Sequence, residues 1–253
     1  MALILITVMV ILAAGPTWSS PSIIQMRPEK KTLLAADDLY CSSWRFTVET
    51  NDAGAWTRVP VRCVDFVKEY ITGDLYASEL EAVTTNAAEY ARAIRISGDG
   101  RDAWVFDIDE TLLSNVPYYA VNGFGSKIFD EPSFNEWVEL AEAPAIAPGL
   151  RLYNELQELG FTIFLLTGRG EYQRHATERN LMYAGFSNWG KLILRGKSDE
   201  GTLASVFKSE KRKEIEDAGY IIHGSSGDQW SDLMGFAVAR RSYKLPNPLY
   251  YIA

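Results

Sequence analysis

Four acidic or hydroxyl side chains sit directly behind a short apolar run in Val105-Phe106-Asp107-Ile108-Asp109-Glu110-Thr111-Leu112-Leu113. In an extended segment Asp107 and Asp109 point to the same side, two residues apart, so two carboxylates converge where the run ends. Like charges that close repel, which raises the pKa of one of them unless a cation lies between them. One carboxylate can therefore bind a divalent metal while the other carries a proton. The chain has only two cysteines and two histidines (Cys41, Cys63, His175, His223), without zinc-finger spacing, so metal chemistry falls to carboxylates.

Three further features suit the same site. Leu165-Leu166-Thr167-Gly168-Arg169 ends a second apolar run with a hydroxyl donor and free backbone N–H groups, which fit phosphoryl oxygens. Lys208 lies at the entrance of an expected helix and can carry a positive charge to a bound anion, with Lys211 as the alternative at the same helix start. Gly224-Ser225-Ser226-Gly227-Asp228-Gln229-Trp230-Ser231-Asp232 is a loop of small residues with two more acids. Asp228 and Asp232 suit a hard cation, Mg²⁺ above all, which takes carboxylates and keeps several waters. Arg169 reads as a phosphate contact or as a salt bridge to Glu171. His175 reads as a surface residue, and His223, Trp44, Trp56 and Trp230 read as packing residues.

These residues need a scaffold that delivers strand ends to one place. The short apolar runs 103–106, 161–166, 191–194, 220–222 and 236–239 alternate with helical patterns at about 150–159, 171–184 and 209–218. Gly160, Gly185 and Gly219 stand where helices stop. The fold class expected is α/β, a parallel sheet flanked by helices with its ligand site at the carboxyl ends of the strands. Ahead of it, Tyr40 to Ser97 carries apolar residues at three- and four-residue steps, a helical preface broken at Gly73-Asp74. The segment 114–149 is too long for a βα connection and reads as an inserted cap, in which Tyr118, Tyr119, Phe124, Phe129, Phe134 and Trp137 either pack or meet substrate.

The ordered set resembles the haloacid dehalogenase (HAD) superfamily of phosphotransferases, with Asp107-x-Asp109-x-Thr111, Thr167, Lys208, and Asp228 with Asp232 as its four motifs. The strings FDIDETLLSN, LYNELQELGF, LLTGR, GDQWSDL and YCSSWRFTVET are similar more narrowly to the plant acid phosphatase and vegetative storage protein family, over residues 39–253. That resemblance implies a Rossmann-like HAD fold and hydrolysis of phosphate monoesters through an aspartyl-phosphate. Asp107 would be the nucleophile, Asp109 the general acid and base, and Lys208 the motif lysine. Thr111, Thr167, Gly168 and Arg169 would face the phosphate. Mg²⁺ would be held by the Asp107 carboxylate, the Asp109 carbonyl and Asp228, with Asp232 close behind. Some storage members have Ser where this chain has Asp107, so storage with vestigial activity is the alternative reading. Ser225 departs from the Asn often found in relatives.

Composition bounds the setting. With 33 acidic against 25 basic residues, net charge −8, the chain repels nucleic acid and anionic lipid. A small phosphomonoester is the expected partner, and pairing with a second copy stays open. Ala2–Ala14 is an apolar run too short to span a membrane comfortably, followed by small residues to Ser20, and reads as a signal peptide at 1–20. An uncleaved anchor is the alternative, since no Lys or Arg precedes the run. Residues 21–39 read as an N-terminal arm and 40–253 as the catalytic domain, in a secreted or vacuolar protein. Export would let Cys41 and Cys63 close one disulfide, the alternative being two buried thiols.

Overall fold

The computed structural model describes residues 36–253, and the expected signal peptide and most of the expected arm lie outside them. The arm's last residues are not loose: helix α1 spans Ala36–Glu49. The preface continues with a 3₁₀ turn at Val61–Cys63, α2 (Val64–Ile71) and α3 (Asp74–Arg92), with the break at Gly73 where the sequence put it. Strand β1 (Asp102–Phe106) follows, then α4 (Val116–Val121) and α5 (Glu131–Leu140) inside the long insert. The alternating half is α6 (Ala147–Leu159), β2 (Thr162–Gly170), α7 (Arg174–Tyr183), β3 (Lys191–Arg195), α8 (Ala204–Asp217), β4 (Ile221–Gly227), a short helix α9 (Trp230–Leu233) and β5 (Arg241–Lys244). Gly160, Gly185 and Gly219 all have the positive φ that ends a helix.

The sheet is five-stranded, in the order β3-β2-β1-β4-β5, and every pairing is parallel. Successive residues of β1 supply opposite faces. Trp104 and Phe106 join Leu152, Tyr153 and Leu156 of α6 and Ala87 and Ala91 of α3, whereas Ala103 and Val105 join Phe164, Phe207 and Ile215. Burial on both faces explains why the strands read as unbroken apolar runs. The chain order reverses between β1 and β4, and that switch point is where an open parallel sheet leaves a crevice at its carboxyl ends.

Several boundaries differ from the sequence reading, among them β4, which continues through Gly224 to Gly227 where the sequence read a loop. Phe236–Ala239 is not a strand, because its hydrogen bonds go to α8. Ser209 Oγ accepts from the N–H groups of both Phe236 and Ala237 at 2.9 Å, and the Ala237 carbonyl accepts from Arg212 Nε at 2.6 Å. The true fifth strand, Arg-Ser-Tyr-Lys, is an edge strand that buries only Tyr243 and so lacks an apolar signature. Strand β2 runs on through Thr167-Gly168-Arg169 to Gly170, with its register to β3 shifting after Leu166. Helix α8 begins four residues before Lys208, which is therefore a full turn inside it.

A third apolar cluster lies over the carboxyl ends. It joins Val59, Val67 and Tyr70 of the preface to Tyr118, Tyr119 and Phe124 of the insert and to Leu245 and Leu249 beyond β5. Its staple is a disulfide between Cys41 and Cys63, both fully buried and 22 positions apart. Closing a loop of that size stabilises the folded state by about 3 kcal/mol in the chain-entropy account. Replacing both cysteines by Ala should lower the unfolding free energy in urea by about 2–4 kcal/mol. A loss under about 1 kcal/mol would show that the packing around α1 needs no covalent tie.

Candidate active site

Asp107 follows the last residue of β1, and its N–H donates to the Ser226 carbonyl of β4 at 2.9 Å. The turn after it is held by three N–H groups, of Thr111, Leu112 and Leu113, converging on the Ile108 carbonyl. Since β1 stops at Phe106, the alternation of a strand does not bring Asp107 and Asp109 together. Both line the cleft, but on different partners. Lys208 Nζ donates to Asp107 Oδ1 at 2.6 Å and also to Asp232 Oδ1. Lys211 instead pairs with Glu214 near the surface. Asp232 Oδ2 accepts from the Gln229 N–H at 2.8 Å, so both of its oxygens are engaged. This approach requires Gly227, because a Cβ there would lie 2.4 Å from the Asp232 side chain. Beneath the loop, fully buried Arg212 donates to the carbonyls of Asp232, Met234 and Ala237, and burial draws its pKa down to about 10.

Asp107, Asp228 and Asp232 each present a carboxylate oxygen within 4.8 Å of the others, all three residues buried. Their charge is only partly offset by Lys208. Burial and the neighbouring Asp232 carboxylate push Asp107 well above the carboxylate range against the pull of Lys208. Burial, then Asp232 and Glu110, push Asp228 up to about 7. On Lys208 burial acts downward, but Asp107 and Asp232 outweigh it and hold the ammonium charged. Three buried acids against one cation fit a small divalent ion, which would return the raised pair to their ionised forms. The oxygen-only donor set fits Mg²⁺.

Asp109 belongs to a second network. Arg169 clasps it through Nη2 at 2.7 Å and Nε at 3.1 and 3.2 Å, and Asn115 Nδ2 donates to Asp109 Oδ1 at 2.8 Å. Burial alone would raise the Asp109 pKa, but the Arg169 charge and these hydrogen bonds override it and hold the carboxyl below its usual range. Asn115 is fixed in turn by Trp137 Nε1, which donates to its Oδ1 at 2.8 Å from helix α5 of the insert. Glu110, at φ 50° and fully buried, accepts from the Asn115 N–H and side chain and from Tyr250 O–H at 2.7 Å. Burial, with Asp109 nearby, raises its pKa to about 7.

The remaining expected phosphate contacts are placed unevenly. Gly168 and Arg169 line the cleft, but the Arg169 guanidinium is taken up by Asp109 and Thr177 and does not reach Glu171. Thr167 is buried in β2 with its Oγ1 accepting from the Arg169 N–H at 3.2 Å. Thr111 is buried behind the turn, away from the cleft lining, and its Oγ1 has no partner among the described residues. Ser225 lies inside β4, paired with Val105 and Ser242, and does not reach the cleft. His175 is exposed, and His223 has a partner the sequence could not name, Asp102 at 2.7 Å. Trp44 and Trp56 meet edge to face at 5.4 Å, and Trp230 Nε1 donates to the Glu49 carbonyl. Trp56 does more than pack, since it also lines the cleft. Sequence reasoning missed Asn115, Asn247 and Tyr250 as site residues, and Trp137, expected to pack or meet substrate, instead donates to Asn115. The one available signal was Asn115, six residues beyond Asp109 and directly after the acidic turn.

A family model described as HAD superfamily, subfamily IIIB (acid phosphatase), matches residues 27–253. The chain belongs to that family. It is 50% identical to acid phosphatase 1 of Solanum lycopersicum over 92% of its own length and 89% of that protein's. It is 34% identical to vegetative storage protein 2 of Arabidopsis thaliana over 100% of this chain and 99% of that one. Among solved structures, the class C acid phosphatase of Bacillus anthracis superposes with a TM-score of 0.64 at 22% identity, covering 76% of this chain and 86% of that one, a likeness of fold.

In this HAD acid phosphatase the cleft above the carboxylates has a volume of about 1610 Å³. The insert supplies Tyr118, Tyr119, Phe129 and Phe134 to its wall, while Phe124 and Trp137 stand behind it, so the insert both packs and faces the opening. Among the described residues no helix is long and apolar enough to cross a membrane. Replacing Lys208 by Met would leave two buried carboxylates unpaired, a change that costs about 3–5 kcal/mol. Urea denaturation of the variant without divalent ions should show that loss, and a loss below about 1 kcal/mol would mean that Lys208 does not neutralise the pair.

Proposed function

We propose that the chain hydrolyses small phosphate monoesters through an aspartyl-phosphate on Asp107, in the secretory pathway and with Mg²⁺ bound. The observation that carries this reading is the buried Asp107–Lys208 ion pair at the floor of the cleft, beside Asp228 and Asp232. Asp107 is the nucleophile that some storage relatives lack. It is present here in a charged, hydrogen-bonded setting, which favours catalysis over storage alone. The disulfide supports passage through an oxidising compartment, secreted or vacuolar.

An oxygen of the Asp107 carboxylate attacks phosphorus in line, forming an O–P bond while the bond to the ester oxygen breaks. The leaving oxygen takes its proton from Asp109, which lines the same cleft. Water then attacks the phosphorus of the acyl phosphate and gives a proton to Asp109. The bond between the Asp107 oxygen and phosphorus breaks, and inorganic phosphate, the Asp107 carboxylate and protonated Asp109 remain. Lys208 offsets charge beside Asp107 throughout, because phosphoryl transfer depends mainly on alignment and charge neutralisation. Asp107 and Asp228 would hold Mg²⁺, which when bound supplies positive charge against the phosphoryl oxygens. Asp232, saturated by Lys208 and Gln229, would stand behind them.

Hydrolysis of p-nitrophenyl phosphate should fall to background in Asp107→Asn and in EDTA, with Mg²⁺ restoring the latter. Asp109→Asn should lose about 10²–10⁴-fold in kcat on an alkyl phosphate and less on the activated aryl ester. A wild-type rate in Asp107→Asn would refute the nucleophile, and equal losses on both esters would refute the role of Asp109.

The clasp by Arg169 also fixes a pH dependence. Asp109 must be protonated to serve the leaving group, so activity declines as pH rises through its pKa, which Arg169 holds low. In Arg169→Met that pKa rises, and the alkaline limb of the kcat/KM profile for an alkyl phosphate should move to higher pH. A limb that stays or moves to lower pH would show that Arg169 does not tune the proton donor.

A further inference from the structure

Asp228 is gripped from one side only. Two primary amides donate to the same oxygen, Oδ2: Asn247 Nδ2 at 2.6 Å and Gln229 Nε2 at 2.7 Å. Neither amide can turn over, because each carbonyl oxygen is held by a backbone N–H of the segment after β5. Asn247 Oδ1 accepts from Leu249 N–H at 2.8 Å, and Gln229 Oε1 accepts from Ile252 N–H at 3.0 Å. The NH₂ ends of both must therefore face Asp228. Asn247 is itself fixed between Pro246 and Pro248, its N–H donating to Glu49 Oε1 at 3.0 Å, and is almost wholly buried. The other carboxylate oxygen, Oδ1, takes no hydrogen bond from the described residues, and Asp228 lines the cleft on the side of Asp107.

We propose that Asn247, with Gln229, is a positioning residue for the cation, restricting Asp228 to donation through a single oxygen and thereby favouring Mg²⁺ over Ca²⁺. This rests on the phosphatase reading with its divalent ion. A carboxylate whose second oxygen already has two N–H donors cannot rotate to chelate with both oxygens without leaving the buried Asn247 amide unpaired and Gln229 Nε2 with only the Tyr250 carbonyl at 3.3 Å. Mg²⁺ accepts single-oxygen ligands in a tight octahedron, whereas Ca²⁺ is larger, takes six to eight oxygens and gains from two-oxygen carboxylates. The segment after β5 thus acts on ion selectivity without touching the ion, as groups behind metal ligands generally do.

The test is calorimetric titration of the metal-stripped full chain with Mg²⁺ and with Ca²⁺, on wild type and Asn247→Leu, a substitution of similar size that removes the donor. Asn247→Leu should bind Mg²⁺ about 10–100-fold more weakly. Its Ca²⁺ affinity should fall by less, so that the ratio of the two constants narrows. Gln229→Leu, which removes the second donor to the same oxygen, should narrow the ratio likewise and stands in should Asn247→Leu fail to fold. Unchanged Mg²⁺ binding, or equal losses for both ions, overturns the proposal while leaving the phosphatase reading intact. A wild-type protein that hydrolyses the ester yet takes up no Mg²⁺ overturns the metal reading beneath it.

Discussion

The ammonium of Lys208 bridging Asp107 and Asp232 sets the terms for the rest of this end of the molecule. Burying three carboxylates around one lysine costs more in desolvation than the ion pairs return, so the arrangement persists only where other groups hold every remaining lone pair and proton. The structure supplies them from all sides. The Gln229 N–H takes the second oxygen of Asp232, two amides take one oxygen of Asp228, and Arg212 fixes the loop carbonyls below. The oxygens left without partners face the cleft. What is costly for stability is thereby made available for binding a cation and for attacking phosphorus.

Such a site needs a roof, and the preface and insert build it together. Neither the helices before β1 nor the 114–149 segment buries a core of its own. They share one cluster with the residues after β5, stapled by Cys41–Cys63. The same cover reaches the chemistry through directed polar contacts. Glu49 of α1 accepts from Asn247 N–H, and Trp137 of α5 donates to Asn115, which donates to Asp109. The two carboxylates assigned to chemistry are thus anchored in different networks, Asp107 to Lys208 and Asp109 to Arg169. Their environments push their pKa values apart, Asp107 up and Asp109 down, and a divalent ion beside Asp107 would return it to the ionised form that a nucleophile needs.

Much of this was legible in the sequence because the signals were local. Strands buried on both faces favour apolar runs, so β1, β2, β3 and the first residues of β4 announced themselves, while the small buried residues Gly224 to Gly227 of β4 read as a loop. Helix ends were marked by Gly160, Gly185 and Gly219. The fifth strand was illegible because an edge strand buries one side chain, while the apolar run at 236–239 gives its hydrogen bonds to Ser209 and Arg212. The family resemblance sets Thr111 and Arg169 toward phosphate, with a salt bridge as the alternative for Arg169. Side-chain direction, which spacing does not carry, turned Thr111 into the interior and Arg169 onto Asp109.

The sequence by itself determined the class of chemistry. Acids behind a buried strand, a lysine ahead of the fourth strand and a small-residue loop with two more acids are properties of residue type and order. Tertiary structure alone decided which oxygen of each carboxylate is free, which lysine is buried and which amides stand behind Asp228. Those outcomes depend on contacts between residues 19, 24 and 101 positions apart. No local pattern encodes a contact at that separation, since it exists only once the sheet and its cover have packed.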